Sequence, residues 1–499
     1  MQTYPMRPGF TAGEPFELAV QPGSRFSVAL YHQGDDEPLT STCGITVHPG
    51  GAVHADLRNG KYVFRSPGRV VRRRHDEDWA WPTITIRPNT DALATGAYVA
   101  IAYEVGANGE PVTQLGRRAA AHKPIFAGPP DSDSMALIIA RPRAPSAKLA
   151  YIVPVNTYHA YNSSGGGGFY GDPVHRTPAQ TTVSLLRPGG GLGAQLGEPS
   201  DPYDPRSPRQ QFTHWDAKFI RWLRAESIAC DFYTDHDLHR GTDLELENYR
   251  CMLSVGHHAY WSKEMRERVG KFIAQGGNVA IFGGNTCLRP VDFGAAPIDG
   301  DYTMMSRLGD AWPRHDESDL IGLSYRYGGG KHGVWKRLRG GWIRREREAI
   351  GFTVRQADHW VFSGTGLANG QTFGAKDRLV GYGVDGVPPV QNGVIKLADT
   401  VALKGWDIGG AGAMGVFQPD PDGGPGQGLV FNGGTTDWAR VLMDPEAQSR
   451  VVVDQITRNV VRKFIGLPPR VIERGDAMPN DASTSTDEGA KDDIALQVP

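Results

Sequence analysis

Tyr249 to Asn285 reads YRCMLSVGHHAYWSKEMRERVGKFIAQGGNVAIFGGN. Two apolar runs, Cys251–Val255 and Val279–Phe282, each lead straight into glycine. Between them the spacing is helical. Ser262 is a good N-cap, Met265, Val269, Phe272 and Ile273 share one face, and Gly276-Gly277 is a stop. Strand, helix, strand is a βαβ unit, which requires parallel pairing. Parallel sheets take their ligands outside the carboxyl ends of the strands. Those ends carry Gly256-His257-His258-Ala259-Tyr260 and Gly283-Gly284-Asn285-Thr286.

The same pattern extends outward. Leu149–Val155 is strand-like and runs into Asn156-Thr157-Tyr158-His159-Ala160-Tyr161-Asn162. Phe219, Ile220, Trp222 and Leu223 have helical spacing, and Ile228–Phe232 leads into Tyr233-Thr234-Asp235-His236-Asp237-Leu238-His239. Strands near 150, 230, 252 and 280 alternating with helices or loops predict an open, flavodoxin-like α/β layer. All four strand ends carry groups capable of chemistry, which places the expected site along that edge. The tract Ser163 to Tyr170, with four glycines, reads as a flexible loop, and the Gly-, Pro- and Asp-rich stretch from Arg187 to Arg209 as a long irregular one.

Residues from about 14 to 145 read as all-β. Short runs at Phe16–Val20, Phe26–Tyr31, Ile45–Val47, Tyr62–Phe64, Thr83–Ile86, Tyr98–Tyr103 and Met135–Ile139, separated by turn signals, suggest a sandwich. Arg141 to Ser146 reads as a boundary. From about 290 to 440 strands and glycine turns predominate, which suggests a β-rich insertion or lid. Ser449–Ile465 is an amphipathic closing helix with Gly466 beyond its end, and 473–499 is a polar tail expected to be disordered.

Composition narrows the function. The chain has 499 residues, with Lys+Arg 53 against Asp+Glu 55 and a formal charge of −2, so no electrostatic case exists for nucleic acid or an anionic membrane. No apolar run is long enough to span a bilayer, and the first residues show no signal-peptide pattern. With Cys43, Cys230, Cys251 and Cys287 far apart, a reducing, cytoplasmic setting is expected.

Three chemistries compete at the strand ends. Gly-x-Ser-x-Gly is absent, so a nucleophile would have to be Cys287 with His257 or His258 as its base; the plain alternative is an inert packed thiol. Ser262 reads better as a helix cap. For a metal there is no His-Glu-x-x-His. Adjacent His257 and His258 on extended backbone face opposite ways, so at most one enters a site. Tyrosine, histidine and carboxylate together suit oxidised iron better than zinc; the alternative is tyrosines that bury their rings and bond their hydroxyls. For a nucleotide, neither GxGxxG nor a Walker loop is present.

The chain resembles the large (beta) subunit family of N,N-dimethylformamidase. The resemblance rests on Tyr158-His159-Ala160-Tyr161-Asn162, Thr234-Asp235-His236-Asp237-Leu238-His239, Gly256-His257-His258-Ala259-Tyr260-Trp261-Ser262, Gly283-Gly284-Asn285 and Asn432-Gly433-Gly434-Thr435-Thr436-Asp437-Trp438. It implies a β-sandwich over 1–145, then a glutamine-amidotransferase-like α/β domain over 146–472 with its β-rich insertion. It also implies hydrolysis of a small amide by a metal-activated water. The family's iron is held by two tyrosines and a glutamate, which points to Tyr260, Tyr161 and Glu317, with Ala259 standing where the family usually has an acidic residue. His257, His258 and His315 are then the proton-relay or orienting candidates, and Asn285 the group for the carbonyl oxygen. Iron is the implied cofactor, with zinc second. A separate small subunit is implied by the family and a homo-oligomer by analogy. The alternatives are a metal-free thiol hydrolase using Cys287 and a non-catalytic small-molecule-binding protein.

Overall fold

The computed structural model describes residues 1–471 apart from 35–37, 40–44, 50–52, 59–60, 89–93, 122–134, 163, 171–177, 194–210, 295–301, 314–315, 331–335, 339–340, 344–349, 407 and 420–425. The expected tail, Cys43 and the candidate His315 lie outside the described residues. The chain is mixed α/β, with many strands and few helices.

The N-terminal strands form two sheets. One runs Thr3–Pro5, Phe16–Val20, Thr83–Pro88, Ile45–Pro49; the other Gly9–Thr11, Met135–Arg141, Gly96–Glu104, Arg25–His32, Lys61–Arg65, His54–Arg58. Phe16, Leu18, Val20, Ile84 and Ile86 of the first share a hydrophobic cluster with Leu30, Tyr98, Ala100 and Ile138 of the second. Gly96–Glu104 is buried on both faces. Tyr98, Ala100 and Ala102 face that cluster, whereas Ala97, Val99, Ile101 and Tyr103 pack in one with Leu149, Tyr151, Val153 and Phe232. That double burial is why the strand reads as an unbroken apolar run. The all-β expectation misses one helix, Gln114–Ala120, capped by Thr113 accepting from the Gly116 N–H. At seven residues it is too short to show a helical period.

The second half is built on one nine-stranded sheet. Its strands are β1 (Leu149–Val153), β2 (Asp231–Thr234), β3 (Cys251–His257), β4 (Asn278–Gly284), β5 (Phe352–Val354), β6 (Thr372–Phe373), β7 (Val394–Asp399), β8 (Ala413–Phe417) and β9 (Val430–Asn432), in the order β2-β1-β3-β4-β9-β8-β7-β5-β6. The first five are parallel, and in chain order they run 2-1-3-4-5, the flavodoxin-like arrangement expected from the alternation. The helices needed here are α1 (Val155–Tyr161), α2 (Asp216–Ala225), α3 (Asp235–Arg240), α4 (Lys263–Ala274) and α5 (Arg450–Phe464).

In α4, Ser262 accepts from the Met265 N–H, and Met265, Val269, Phe272 and Ile273 are the buried face. Burying each such side chain contributes roughly 1.5–3 kcal/mol, against about 1 kcal/mol for the cap, so packing decides where the helix lies. The β-rich segment is less a lid than an extension of the sheet. β8 pairs antiparallel with β9 and covers what would be an open edge. Ser324–Gly329 and Val384–Gly386 form a separate antiparallel pair; Tyr325 of the first strand and Tyr382, just before the second, line the cavity described next. No helix among the described residues is long and apolar enough to cross a membrane.

Candidate active site

The strand order reverses between β1 and β3. The chain leaves β1 for β2 on one side and returns to β3 on the other, so the segments after β1 and β3 diverge and leave a crevice. A cavity of about 180 Å³ lies there, with Tyr161, Tyr170, His257, Asn285, Tyr325 and Tyr382 in its lining. A cavity of about 150 Å³ takes a benzene, so this one suits a ligand of a few heavy atoms. A wider groove of about 680 Å³ lies at the amino ends of β3 and β4. There Glu247 is paired with Lys271 and Lys463 stacks on Trp360, so no free chemistry converges on it.

Two of the expected ligands, Tyr161 and Tyr260, come together on a third tyrosine, Tyr170. The Tyr170 ring stacks on Tyr161 with centroids 4.4 Å apart, and its hydroxyl lies 2.6 Å from that of Tyr260. Burial, reinforced by the neighbouring phenols, holds Tyr161 and Tyr260 well above the ordinary tyrosine range. Tyr161 and Tyr170 line the cavity together with Arg289, whereas Tyr260 is fully buried behind them and does not. Tyr161 ends α1, and Tyr260 follows β3 through Ala259, whose N–H donates to Thr157 at 3.0 Å. Tyr170 gave no signal beyond its place after the glycine tract.

That tract is a fastened turn rather than a slack connection. Arg187 is fully buried and donates to the carbonyls of His159, Asn162, Ser164 and Ser184. Burial lowers its pKa to about 9, so it remains a cation at neutral pH. Four carbonyl dipoles, one of them near the C-terminal end of α1, take the place of a carboxylate.

The two histidines separate as extended backbone requires. His257 lines the cavity; burial lowers its pKa to about 3, so the ring is neutral. Its Nε2 is 3.2 Å from Asn285 Nδ2. Asn285 has φ +56 and Cys287 φ +58, a left-handed conformation that ordinary residues avoid. Asp385 holds that turn by accepting the Asn285 N–H at 2.9 Å. His258 faces away, bonded to Asp235 and Ser254. Asp237 caps α3 through Thr234 and pairs with Arg141 and Arg240, while His236 and His239 pack against Phe293. The polar residues after β2 therefore belong to packing and capping, not to the cavity.

Glu317 does not line the cavity. It is 1 % exposed and accepts from Ser324 Oγ at 2.5 Å; burial raises its carboxyl to about 7 and leaves Oε2 without a partner among the described residues. Asp385 is raised to about 8, by burial first and by Glu317 in part. Cys287 is fully buried, and burial pushes its thiol well up, which suits a packed thiol better than a nucleophile.

Among the described residues no three His, Cys, Asp or Glu side chains are grouped to hold a metal; the donors that converge are phenols. A family model described as N,N-dimethylformamidase beta subunit-like, C-terminal, matches residues 54–450. No curated protein matches the chain. Among solved structures, WR4, an MSP family member of C. elegans, aligns at 12% identity over 26% of this chain and 89% of its own, with a TM-score of 0.11, too low to carry any weight.

Proposed function

Because the chain belongs to the N,N-dimethylformamidase beta subunit-like family, we propose that it hydrolyses a small amide at the tyrosine-lined cavity, using a metal-activated water. The family supports the hydrolysis of small amides. The cavity is the place favoured for it because phenols, a neutral imidazole and a carboxamide meet there at the strand-order reversal.

Tyr161 and Tyr260 would hold a hard cation, iron before zinc, and Glu317 is the carboxylate assigned with them on the family pattern. Such a cation supplies Lewis acidity, polarising the carbonyl and lowering the pKa of water. The chain's own groups do the rest. Asn285, fixed from behind by Asp385, retains a second Nδ2–H to offer the carbonyl oxygen, since one is directed at His257. His257, neutral throughout the working range, orients that carboxamide rather than acting as an acid. Asp385 keeps its proton near neutral pH behind Asn285, which makes it a reserve for the departing amine.

The same reading takes residues 1–145 as a sandwich domain, 146–472 as an amidotransferase-like domain, and the protein as cytoplasmic. A separate small subunit is in keeping with the family's description as a beta subunit, and self-association is the further proposal. Elemental analysis of purified protein, with an amide-hydrolysis screen before and after adding iron or zinc, tests the proposal. Bound iron with amide turnover supports it. Protein that stays inactive after loading, yet is thermally stabilised by amides it does not consume, would instead be a binding protein.

A further inference from the structure

Arg289 opens a short strand, Arg289–Asp292, that pairs parallel with Tyr260–Trp261. Its N–H donates to Ala259 O at 2.8 Å, so the backbone fixes it beside the site. Its side chain lines the cavity and is the one charged group of that lining among the described residues. The rest of the lining is neutral: four tyrosines, Asn285, His257, and the small or apolar Ala259, Leu288 and Gly330. The guanidinium charge is close to them. Burial first and Arg289 second lower the His257 pKa to about 3. No carboxylate lines the cavity among the described residues.

One arm of the guanidinium is engaged by Asp310, which does not line the cavity. Nη1 donates to the Asp310 backbone carbonyl at 2.9 Å and to its carboxylate at 2.6 Å. Nε and Nη2 have no partner among the described residues. Asp310 is 79 % exposed and also pairs with Arg307, so two guanidinium groups share one solvent-screened carboxylate and a positive charge is left over. A guanidinium edge matches a carboxylate through two parallel N–H···O bonds. Phenol hydroxyls and the second Nδ2–H of Asn285 are further donors. Donors set around a single cation favour an anion. The volume of about 180 Å³ admits a ligand with about as many heavy atoms as benzene. We propose that the amides this cavity takes carry a carboxylate beside the amide group, bound by Arg289, with the amide carbonyl at Asn285. This rests on reading the cavity as the place of amide hydrolysis and deepens it by naming the substrate class: small amide-acids of the size of oxamate.

Isothermal titration of the full chain, as purified, tests this with three probes: oxamate, pyruvamide, which has a methyl group in place of the charged oxygen, and acetate. Release of ammonia is followed separately. Wild type is expected to bind oxamate about tenfold or more tightly than either pyruvamide or acetate. Arg289→Gln is expected to bring oxamate down to the pyruvamide level. Asp310→Asn, at an exposed position, removes the competing carboxylate and is expected to tighten oxamate about threefold; it decides the matter if Arg289→Gln does not fold. Equal binding of oxamate and pyruvamide by wild type overturns the proposal. So does a preference that survives in Arg289→Gln, or an affinity unchanged or weakened in Asp310→Asn. Acetate bound as tightly as oxamate would mark a site for a free acid and also overturns it. Turnover separates this inference from the one beneath it. Carboxylate-selective binding without ammonia release keeps the ligand class and removes the hydrolase reading, whereas hydrolysis of neutral amides with no carboxylate preference does the reverse.

Discussion

Asp235 meets His258 at 2.6 Å through Oδ1, and its Oδ2 accepts the backbone N–H of Asn156 at 2.8 Å. Asn156 lies in the first turn of α1, the helix that ends in Tyr161, and His258 starts the link to Tyr260. One carboxylate thus sets the spacing of the two segments that carry the phenol pair. Ser254 Oγ completes the chain at 2.9 Å from His258 Nδ1. Serine, histidine and aspartate in sequence look like a nucleophilic relay, but all three are fully buried and absent from the cavity lining. The set is a bracket.

Asp235→Ala removes the partner of His258 and of the Asn156 N–H together. Breaking a buried pair from one side costs about 3–5 kcal/mol, so the urea midpoint is expected to fall by a corresponding amount. Asp235→Asn, which keeps the shape, is expected to lose clearly less. Equal midpoints for wild type and the alanine variant would show that the bracket carries no load.

Arg187→Met leaves four carbonyl groups without their donor in a site water does not reach. At about 1 kcal/mol or more for each unmade bond, a loss of about 4 kcal/mol or more is expected by chemical denaturation. Arg187→Lys keeps the charge but not the planar fork, and should recover only part of the loss.

Gly168→Ala forces a methyl group against two backbone oxygens. The turn must open, and with it the placement of Phe169 and Tyr170. The expected result is a modest stability change of about 1–2 kcal/mol with a drop in kcat/KM of tenfold or more, measured on the same preparation. A variant as active as wild type would mean the turn does not set the phenols.

Asp385 gives a pH signature. Its carboxyl is raised to about 8 by burial, whereas in an unfolded chain it titrates near about 3.9. Between those values the folded protein keeps a proton the unfolded chain has released, so this group's contribution to stability is full below about pH 4 and is lost as pH rises towards 8. The slope is at most about 1.4 kcal/mol per pH unit. Urea midpoints from pH 5 to 8 should fall less steeply for Asp385→Asn, which can still accept the Asn285 N–H; parallel curves would contradict the assignment.

Cys287 is expected to resist iodoacetamide in the native protein and to react only on unfolding, followed by mass spectrometry. Activity that survives the treatment separates the metal reading from a thiol mechanism. Rapid native alkylation with loss of turnover would reverse that choice.

The α/β layer was legible because its residues repeat a local pattern: a run ending in glycine, then a spaced apolar face such as Met265, Val269, Phe272 and Ile273. Reading four polar strand ends as one site went too far. Asp237 reads as reactive in sequence but is consumed by a capping box and two arginines, and only coordinates show which face a residue takes. His257 and His258 were separable by the alternation of extended backbone alone. Tyr170, Tyr325, Tyr382 and Asp385 were not visible, because long-range folding brings the three tyrosines to the cavity, and Asp385 behind Asn285, from segments without a motif. In sequence the glycine tract reads as a flexible loop, since composition shows permission for positive φ but not the carbonyls that make it obligatory.

The strand Gly96–Glu104 serves two cores at once, as a party wall between neighbours. Stripping away the first half of the chain would bare the β1–β2 face to water and leave Asp237 without Arg141. Melting either half exposes the apolar side of the other, so heat should take them together. A scanning calorimeter would then record a single endotherm for a chain whose composition suggests two independent parts.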